Sequence, residues 1–346
     1  MKMIVLYVLR ALGFFYLSRR WVANKTLILA YHGFEVLDET EFRNQLFIKS
    51  STLKSRFDYL KKHCQVIPLS EFCIHGDQKD GRKNKVVITI DDGWTSTLGV
   101  AAPIFKDYQL PYTVYLTTEN VLDNQPIFHV ALDYILGHSL GKRLNYTNDQ
   151  SFELDIVVSS DNIASICQLI KPIKRESNDT PLLLDIANAL QFDFDTIIKN
   201  KALTLMSVEQ VKEIKAMGAD IQLHTHTHDT PLDSYALFAE EINVNRDHIV
   251  DIVGGNPEHH CYPSGVYNES SFGYLQQLGV KTATTCYPGF CDEHSNPMEL
   301  PRFLDAENIP QIIFEAEVSG VLELLRKLRK MTVGRIRGNQ LSTNLQ

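Results

Sequence analysis

Short β-branched segments alternate with helix-like segments along this chain, and this alternation limits the possible folds more than any other feature. The run Val86–Ile90 (VVITI) is continuously apolar, which is typical of a parallel strand that is buried on both faces. Further strands are predicted at Tyr112–Thr118, at Ile221–Leu223, up to Cys261–Tyr262, and at Lys281–Thr285.

Helices are predicted between these strands. The clearest is Ser207–Met217, where Ser207 and Gln210 suit a capping box and Gly218 follows the last turn. The others are Leu98–Tyr108, Ser234–Val253 and Ser271–Leu278. A β-α-β-α order predicts an α/β fold with a parallel sheet, closed or open, whose chemistry lies where strands end.

The stretch from about 120 to 203 has a different character. Its charges are scattered, strand signals are few, and helical pieces occur at Ile163–Ile170 and Leu182–Leu190. We interpret it as a mostly helical insertion that forms a lid or subdomain. A chain of 346 residues accommodates one α/β barrel of ~250 residues with such an insertion. The predicted organisation is an N-terminal helix at 1–25, a main domain at 26–320 and a basic tail at 321–346.

Charge and cysteine usage exclude some classes of function. The formal net charge is −8, so binding to nucleic acid has no overall electrostatic support. The six cysteines form no C-x-x-C pair, which favours free thiols over a disulfide framework or a zinc ribbon. This usage favours a reducing compartment.

Both ends of the chain suggest contact with a membrane surface. Met3–Leu17 is mostly apolar but is interrupted by Arg10, and it is shorter than the ~20 residues that a membrane span needs. An amphipathic helix that lies on a membrane or packs on the domain fits better. Near the other end, leucines alternate with basic residues, which favours either an anionic lipid surface or a solvated last helix. The basic residues are Arg326, Lys327, Arg329, Lys330, Arg335 and Arg337. We expect peripheral membrane association on the cytoplasmic side; the oligomeric state stays open.

Two adjacent carboxylates end the strand Val86–Ile90, in the segment Thr89–Trp94 (TIDDGW). Successive strand side chains point to opposite sides, so Asp91 and Asp92 can divide their roles. One can bind a metal while the other stays free as a base, although paired aspartates at a strand end are often only solvated.

Three histidines follow the strand at Ile221–Leu223. His224 and His228 are four residues apart, so on a helical turn they share a face and can bind one ion, whereas His226 points elsewhere. One carboxylate and two imidazoles leave positions open for water and substrate, which is typical of a catalytic metal site. An amide hydrolase also needs a base and an acid. Asp91 can be the base and His32, which ends the segment Leu29–His32, can be the acid.

These motifs, in this order, resemble those of the polysaccharide deacetylases, the carbohydrate esterase family 4 with its NodB-homology domain. TIDDGW resembles the first motif, with Ile90 in place of the usual Phe, and HTHTH fits the second. The resemblance implies Asp91 as base, and Asp92, His224 and His228 as ligands of a divalent metal, Zn²⁺ above all, with Co²⁺, Ni²⁺ or Mn²⁺ as alternatives. It also implies a distorted (β/α) barrel with about seven parallel strands.

The segment 260–268 (HCYPSGVYN) resembles the third motif. There the backbone amide of Tyr262 would stabilise the oxyanion, and Pro263 and Trp94 would contact substrate. Two features depart from the usual family pattern: the Arg that begins the third motif and a late catalytic His are both missing. Both are also absent from the branch that resembles poly-N-acetylglucosamine deacetylases. By that resemblance, Leu29–His32 supplies the acid His32, and Arg302 orients the base.

The resemblance therefore implies hydrolysis of N-acetyl groups on amino sugars of a polysaccharide or a lipid-linked glycan. Two alternatives remain from the residues. One is a non-catalytic glycan-binding barrel, and the other is a metallohydrolase of the amidohydrolase type, in which H-x-H also occurs.

Overall fold

The computed structural model describes residues 2–72, 83–123, 125–147, 153–170 and 180–329. The strands are β1 (Thr26–Tyr31), β2 (Gly33–Phe34), β3 (Phe47–Ile48), β4 (Gln65–Val66), β5 (Lys85–Ile90), β6 (Thr113–Leu116), β7 (Arg143–Thr147), β8 (Glu153–Val157), β9 (Asp220–Leu223), β10 (His259–Cys261), β11 (Thr282–Thr284), β12 (Phe290–Cys291) and β13 (Phe303–Leu304).

The helices are α1 (Lys2–Ala11), α2 (Phe14–Trp21), α3 (Glu39–Phe42), α4 (Ser50–His63), α5 (Ala102–Tyr108), α6 (Glu119–Asp123), α7 (Phe128–Gly137), α8 (Ile163–Ile170), α9 (Thr180–Ala189), α10 (Asp195–Asn200), α11 (Val208–Ala216), α12 (Tyr235–Val253), α13 (Glu269–Gln277) and α14 (Gln311–Val318). Residues 321–329 are also helical. A π-helical turn at Thr97–Ala101 precedes α5. The capping box that the sequence predicts at Ser207 and Gln210 is present at the start of α11.

The main sheet is curled and mostly parallel. Seven strands follow one another in the order β11-β10-β9-β6-β5-β1-β12, with β13 paired to β1 and β4 paired to β5. Among these strands only β12 runs antiparallel. This architecture is a half-barrel surrounded by helices, so the prediction of a distorted (β/α) barrel is confirmed.

Burial on both faces explains the continuous apolar run of β5. Val86, Ile88 and Ile90 belong to the large core between sheet and helices. Val87 faces a smaller core inside the curl, together with Ile28 and Tyr115. Because successive side chains point to opposite faces, this one strand contributes apolar residues to both cores.

Strand β1 carries two partners on one edge. Thr26 and Leu27 pair with β12, and Leu29 and Ala30 pair with β13. This register places Arg302, the residue before β13, beside the middle of β1 and well below the carboxyl ends of the strands. A long side chain there can rise inside the curl toward the residues that follow β5.

The segment between β6 and α11 contains one feature that the sequence analysis missed. Besides helices, β7 and β8 form an antiparallel hairpin. Its strands alternate in burial, with Leu144 and Leu154 buried and Arg143 and Glu153 exposed. This period-two pattern is short and its apolar residues are few, so it was hidden among the scattered charges.

The N-terminal helices pack on the outside of the barrel. Leu6 and Phe15 form a small core with Ile312, Ala316 and Val321. Within the described ranges no helix is long and apolar enough to cross a membrane. Lys330, Arg335 and Arg337 of the predicted basic tail lie outside the described residues.

Candidate active site

A tight turn after β5 separates the two carboxylates. Asp91 continues the pairing with β1 through its N–H, which donates to the carbonyl of Tyr31 at 2.9 Å. Asp92 and Gly93 then adopt left-handed φ angles of 71° and 93°. A Cβ at Gly93 would lie 2.4 Å from Cδ1 of Leu116, so only glycine fits there. The turn sends Asp91 and Asp92 to different partners.

The histidines lie on a loop after β9 and not on a helical turn, so that part of the prediction was wrong. Thr225 and His228 have φ angles of 62° and 64°, which no helix tolerates. Helix α12 holds the loop instead. Glu241 accepts from the N–H groups of His226 and Thr227, and the buried Asn245 accepts from the N–H of His224 at 3.0 Å.

Both expected imidazoles nevertheless converge on Asp92. Nε2 of His224 lies 3.2 Å and Nε2 of His228 lies 3.3 Å from Oδ1 of Asp92. The ligand atoms of the three residues all lie within 4.8 Å of one another. His226 is turned away, with Nδ1 2.9 Å from Oγ1 of Thr118.

The hydrogen bonds of His224 suit a metal ligand. Its Nδ1 lies 2.8 Å from the carbonyl oxygen of Cys261, which can only accept, so Nδ1 carries the proton. In the neutral ring, Nε2 then directs a lone pair toward Asp92. A lone pair facing a carboxylate is unfavourable unless a cation lies between them. The donor set of one oxygen and two nitrogens fits a divalent ion such as Zn²⁺.

Trp94 has a contact that differs from the substrate contact expected for it. Its indole Nε1 donates to Oδ2 of Asp92 at 2.9 Å, and the ring is 3% exposed. Trp94 therefore orients the carboxylate that faces the two histidines, as partners of metal ligands do. It also lines the cavity over the site.

Neighbouring charges and burial shift the pKa values of Asp92 and His224 in opposite directions. Where no cation lies between them, a second proton on Nε2 of His224 takes its place. Burial alone would then raise the pKa of Asp92, but hydrogen bonds from His224 and His228 hold that pKa well below its usual range. Burial likewise disfavours protonation of His224, yet Asp92 and Asp91 raise the pKa of its imidazole. The three side chains thus form a mutually stabilising group in which the carboxylate stays ionised.

The side chain of Arg302 extends inside the curled sheet and binds the carboxylate of Asp91. Its Nη1 and Nη2 donate to the two carboxylate oxygens of Asp91 at 2.7 and 2.8 Å. Nε donates to the carbonyl of Thr285, and Nη1 also reaches Oγ1 of Thr89 at 3.2 Å. Burial would raise the pKa of Asp91, but the guanidinium of Arg302, together with His32 and His224, holds that pKa below its usual value. Asp91 is therefore a fixed, ionised carboxylate.

His32 follows β1 and faces the same carboxylate. Its Nε2 lies 3.7 Å from Oδ2 of Asp91, and its side chain is 20% exposed. The imidazole can therefore reach both Asp91 and a bound molecule.

Two expectations on the third motif need correction. The N–H of Tyr262, expected to face an oxyanion, donates to the carbonyl of Thr284 at 3.2 Å because β10 pairs with β11 up to this point. Pro263 is buried, and among the described residues it is Tyr262 and Ser264 on either side of it that line the cavity.

Cys261 also belongs to the site, although no motif in the sequence indicated this. Its Sγ lies 3.0 Å from Nη2 of Arg302 and 3.6 Å from Oδ2 of Asp91. Asp91, His224 and Cys261 also lie close enough to share an ion, but the guanidinium of Arg302 occupies that position and repels a second cation.

Asn245 and Glu241 were missed as well. The signal for Asn245 was present, because it falls on the buried stripe of α12 with Phe238, Ile242 and Ile249. A polar residue on an apolar stripe indicates a buried hydrogen bond. Glu241 gave no such signal in the sequence.

A cavity of about 610 Å³ opens over the site, within the usual range for small-molecule sites. His32, Asp91, Asp92, His224 and His228 line its floor. Residues 119–120 and 125–130 and Thr180, from the segment between β6 and α11, form one wall.

The comparison with known families identifies the family of this chain. The model of the family described as polysaccharide deacetylase matches residues 78–168 and 175–283, which is more than half of the chain. The chain belongs to the polysaccharide deacetylase family. This deacetylase barrel contains both main motifs within the matched ranges, and the prediction of a sugar N-deacetylase is confirmed at the level of the family. The amidohydrolase-type alternative is set aside.

Solved structures show the same fold at low sequence identity. The deacetylase PplD of Streptococcus pyogenes, solved with acetate, is 16% identical with a TM-score of 0.56, over 85% of this chain and 98% of that one. IcaB from Ammonifex degensii is 16% identical with a TM-score of 0.54, over 86% and 97%. A de-N-acetylase from Aggregatibacter actinomycetemcomitans is 14% identical with a TM-score of 0.54, over 85% and 99%. No curated protein matches the chain significantly. The expected branch within the family stays a prediction.

Proposed function

We propose that this deacetylase removes N-acetyl groups from amino sugars of a polysaccharide or lipid-linked glycan, with a divalent metal held by Asp92, His224 and His228. The observation that carries the proposal is the convergence of two imidazole Nε2 atoms on one carboxylate oxygen, at 3.2 and 3.3 Å. Beside it lies Asp91, a second carboxylate whose charge Arg302 already balances.

When bound, the metal activates water and polarises the acetyl carbonyl. Zn²⁺ suits this set of ligands, and Co²⁺, Ni²⁺ or Mn²⁺ are alternatives. The chain supplies the remaining functions through residues around this position.

Asp91 is the general base. It lines the cavity floor, and the two hydrogen bonds from Arg302 keep it ionised and fix the direction of its oxygens. An ionised carboxylate in this position takes a proton from the attacking water. Arg302 does not contact the substrate in this scheme, so it is a positioning residue.

His32 is the general acid. The cleavage of an amide needs a proton on the leaving nitrogen, and His32 faces the cavity on the same side as Asp91. Oδ2 of Asp91 lies 3.7 Å from Nε2 of His32. The proton that Asp91 takes from water can therefore pass to His32 and replace the one that His32 gives to the leaving nitrogen.

The backbone amide of Tyr262 contributes to charge stabilisation only if it leaves the carbonyl of Thr284. An oxyanion donor must point at the developing charge. Tyr262 therefore has a smaller part in the proposal than Asp91 or His32.

Acetate release from N-acetylated oligosaccharides and lipid-linked sugars tests the proposal. We expect release that a chelator abolishes and that added Zn²⁺ restores. His228→Ala should lose both bound metal and activity, whereas His226→Ala, whose ring is turned away, is the matched control and should keep both. Binding of glycan without acetate release would instead support the non-catalytic alternative, and full activity in chelator would refute the metal site.

A further inference from the structure

The two ends of the chain form an exposed apolar surface, made of residues 3–21 and 324–328, which we call the terminal face. Ten large hydrophobic side chains between Met3 and Trp21 are 41–69% exposed. The most exposed are Ile4 at 69% and Leu12 at 67%. Leu324, Leu325 and Leu328 add a further 39–47% each. Monomeric proteins rarely expose contiguous apolar patches of this kind without a binding role.

Packing on the barrel does not account for these side chains. In α1 and α2 the fully buried apolar residues are Leu6 and Phe15, which contact α14 and Val321. Leu9 is partly buried against the same core, and the other apolar residues of both helices are exposed. This is the reverse of the usual amphipathic pattern, in which the outer side is polar.

The two terminal segments lie side by side. The Nζ atoms of Lys25 and Lys327 lie 5.6 and 5.0 Å from the ring of Trp21. A Cβ at Gly320 would lie 2.6 Å from Val22, so the start of the last helical segment packs directly on the end of α2. The exposed apolar residues of both segments therefore belong to one surface.

The charge of this surface is opposite to that of the whole chain. The terminal face contains five basic residues and no acidic residue, whereas the chain as a whole has a net charge of −8. The five are Arg10, Arg19, Arg20, Arg326 and Lys327. Arg10 and Arg326 pair with glutamates of α14. Among the described residues, none forms an ion pair with Arg20 or Arg329.

We propose that the terminal face docks on an anionic lipid bilayer, with its apolar side chains in the interface and its basic residues at the headgroups. An apolar surface bordered by unpaired cations complements such a bilayer. A second copy of the chain is a poorer partner, because it would bring two basic surfaces together. Helices of 10 and 8 residues reach about 15 and 12 Å, so they can lie in the interface but cannot span ~30 Å.

This proposal is independent of the catalytic assignment. None of the residues of the terminal face lines the cavity over the candidate active site. The cytoplasmic side of the membrane, expected from the cysteine usage, stays a prediction.

Flotation of the full-length protein with vesicles tests the docking. We expect binding to vesicles of equal parts phosphatidylcholine and phosphatidylglycerol, weakened by high salt, and little binding to phosphatidylcholine alone. Arg20→Gln should weaken binding about fivefold, since each basic residue near the surface contributes about 1 kcal/mol. The double variant Ile4→Ser with Leu12→Ser should weaken it about tenfold or more.

Leu237→Ser is the matched control, because Leu237 is 54% exposed on α12, away from the terminal face. It should bind like the unchanged protein. All variants should deacetylate a soluble N-acetylated oligosaccharide at the unchanged rate. Equal binding to neutral and anionic vesicles, or no binding to either, would overturn the proposal. A dimer in sedimentation that the Ile4/Leu12 variant dissolves would also overturn it, in favour of self-association.

Discussion

Two buried arginine–aspartate pairs lie close together in this barrel, and they have different consequences. Arg302 and Asp91 lie under the catalytic cavity, with contacts of 2.7 and 2.8 Å. Arg56 and Asp305 join α4 to the chain after β13, with contacts of 3.0 and 3.3 Å. All four side chains are at most 3% exposed. Burial and pairing alone therefore do not distinguish the pair that we propose to be catalytic from the structural one.

The surroundings distinguish them. Burial raises the pKa of Asp305 to about 6 in spite of Arg56. The pKa of Asp91 falls below its usual value although burial opposes this, because His32 and His224 add to the effect of Arg302. A carboxylate that lies beside several such groups and is open to a cavity suits the proton transfer that we propose for Asp91.

The substitution Asp91→Asn should have the largest effect. An amide cannot accept the proton from water, so acetate release should fall by about 10²–10⁴-fold. The metal content, measured by elemental analysis, should not change because the three proposed ligands remain. Near-normal turnover would show that the pair under the cavity is structural, like the other.

Arg56→Met should act on stability. It leaves the carboxylate of Asp305 without its cation, so the free energy of unfolding should fall by about 3–5 kcal/mol in chemical denaturation. The fraction that remains folded should keep its turnover number. A loss of turnover in fully folded protein would remove the distinction between the pairs.

The pH dependence of stability should also differ between the pairs. Since the folded pKa of Asp305 exceeds its unfolded value, its contribution to stability is complete below about pH 4 and is lost as the pH rises through about 6. The loss amounts to about 3 kcal/mol at most. Asp91 has a lowered pKa, so its contribution is lost only at lower pH. Chemical denaturation of the unchanged protein and of Asp305→Asn between pH 4 and 7 isolates the contribution of Asp305 to the free energy of unfolding. If the free energies of the two proteins changed in parallel with pH, this contribution would be refuted.

The smallest effect is expected for lysine in place of each arginine. Arg302→Lys keeps the charge but loses the bidentate hydrogen bonds that orient Asp91. The turnover number should therefore fall about tenfold. Arg56→Lys is the control and should lower the melting temperature without changing turnover. Equal kinetics for the two variants would mean that orientation of Asp91 is unimportant.

Local patterns predicted the α/β fold with a parallel sheet and the grouping of Asp92 with His224 and His228. The family resemblance added the barrel and the contact of Arg302 with Asp91. The apolar run of β5, the capping box of α11 and the order of the two motifs are all readable within a few residues. The loop conformation at His224–His228 was not readable, since left-handed φ angles at Thr225 and His228 depend on Glu241 and Asn245 of α12.

Contacts between distant segments could not be read from the pattern either. Cys261 contacts Asp91 only because β10 and β5 curl toward each other, 170 positions apart in the chain. The hydrogen bond from the N–H of Tyr262 to the carbonyl of Thr284 depends on the register of β10 against β11. Such features follow from tertiary packing, which overrides local expectation.

The wall that residues 119–120 and 125–130 contribute to the cavity has an evolutionary consequence. The side chains proposed for proton transfer and metal binding all come from the barrel, whereas this wall belongs to the segment between β6 and α11. Changes in that segment can reshape the entrance for a new sugar without disturbing the reacting groups. Related enzymes could therefore diverge in substrate range while their chemistry stays the same.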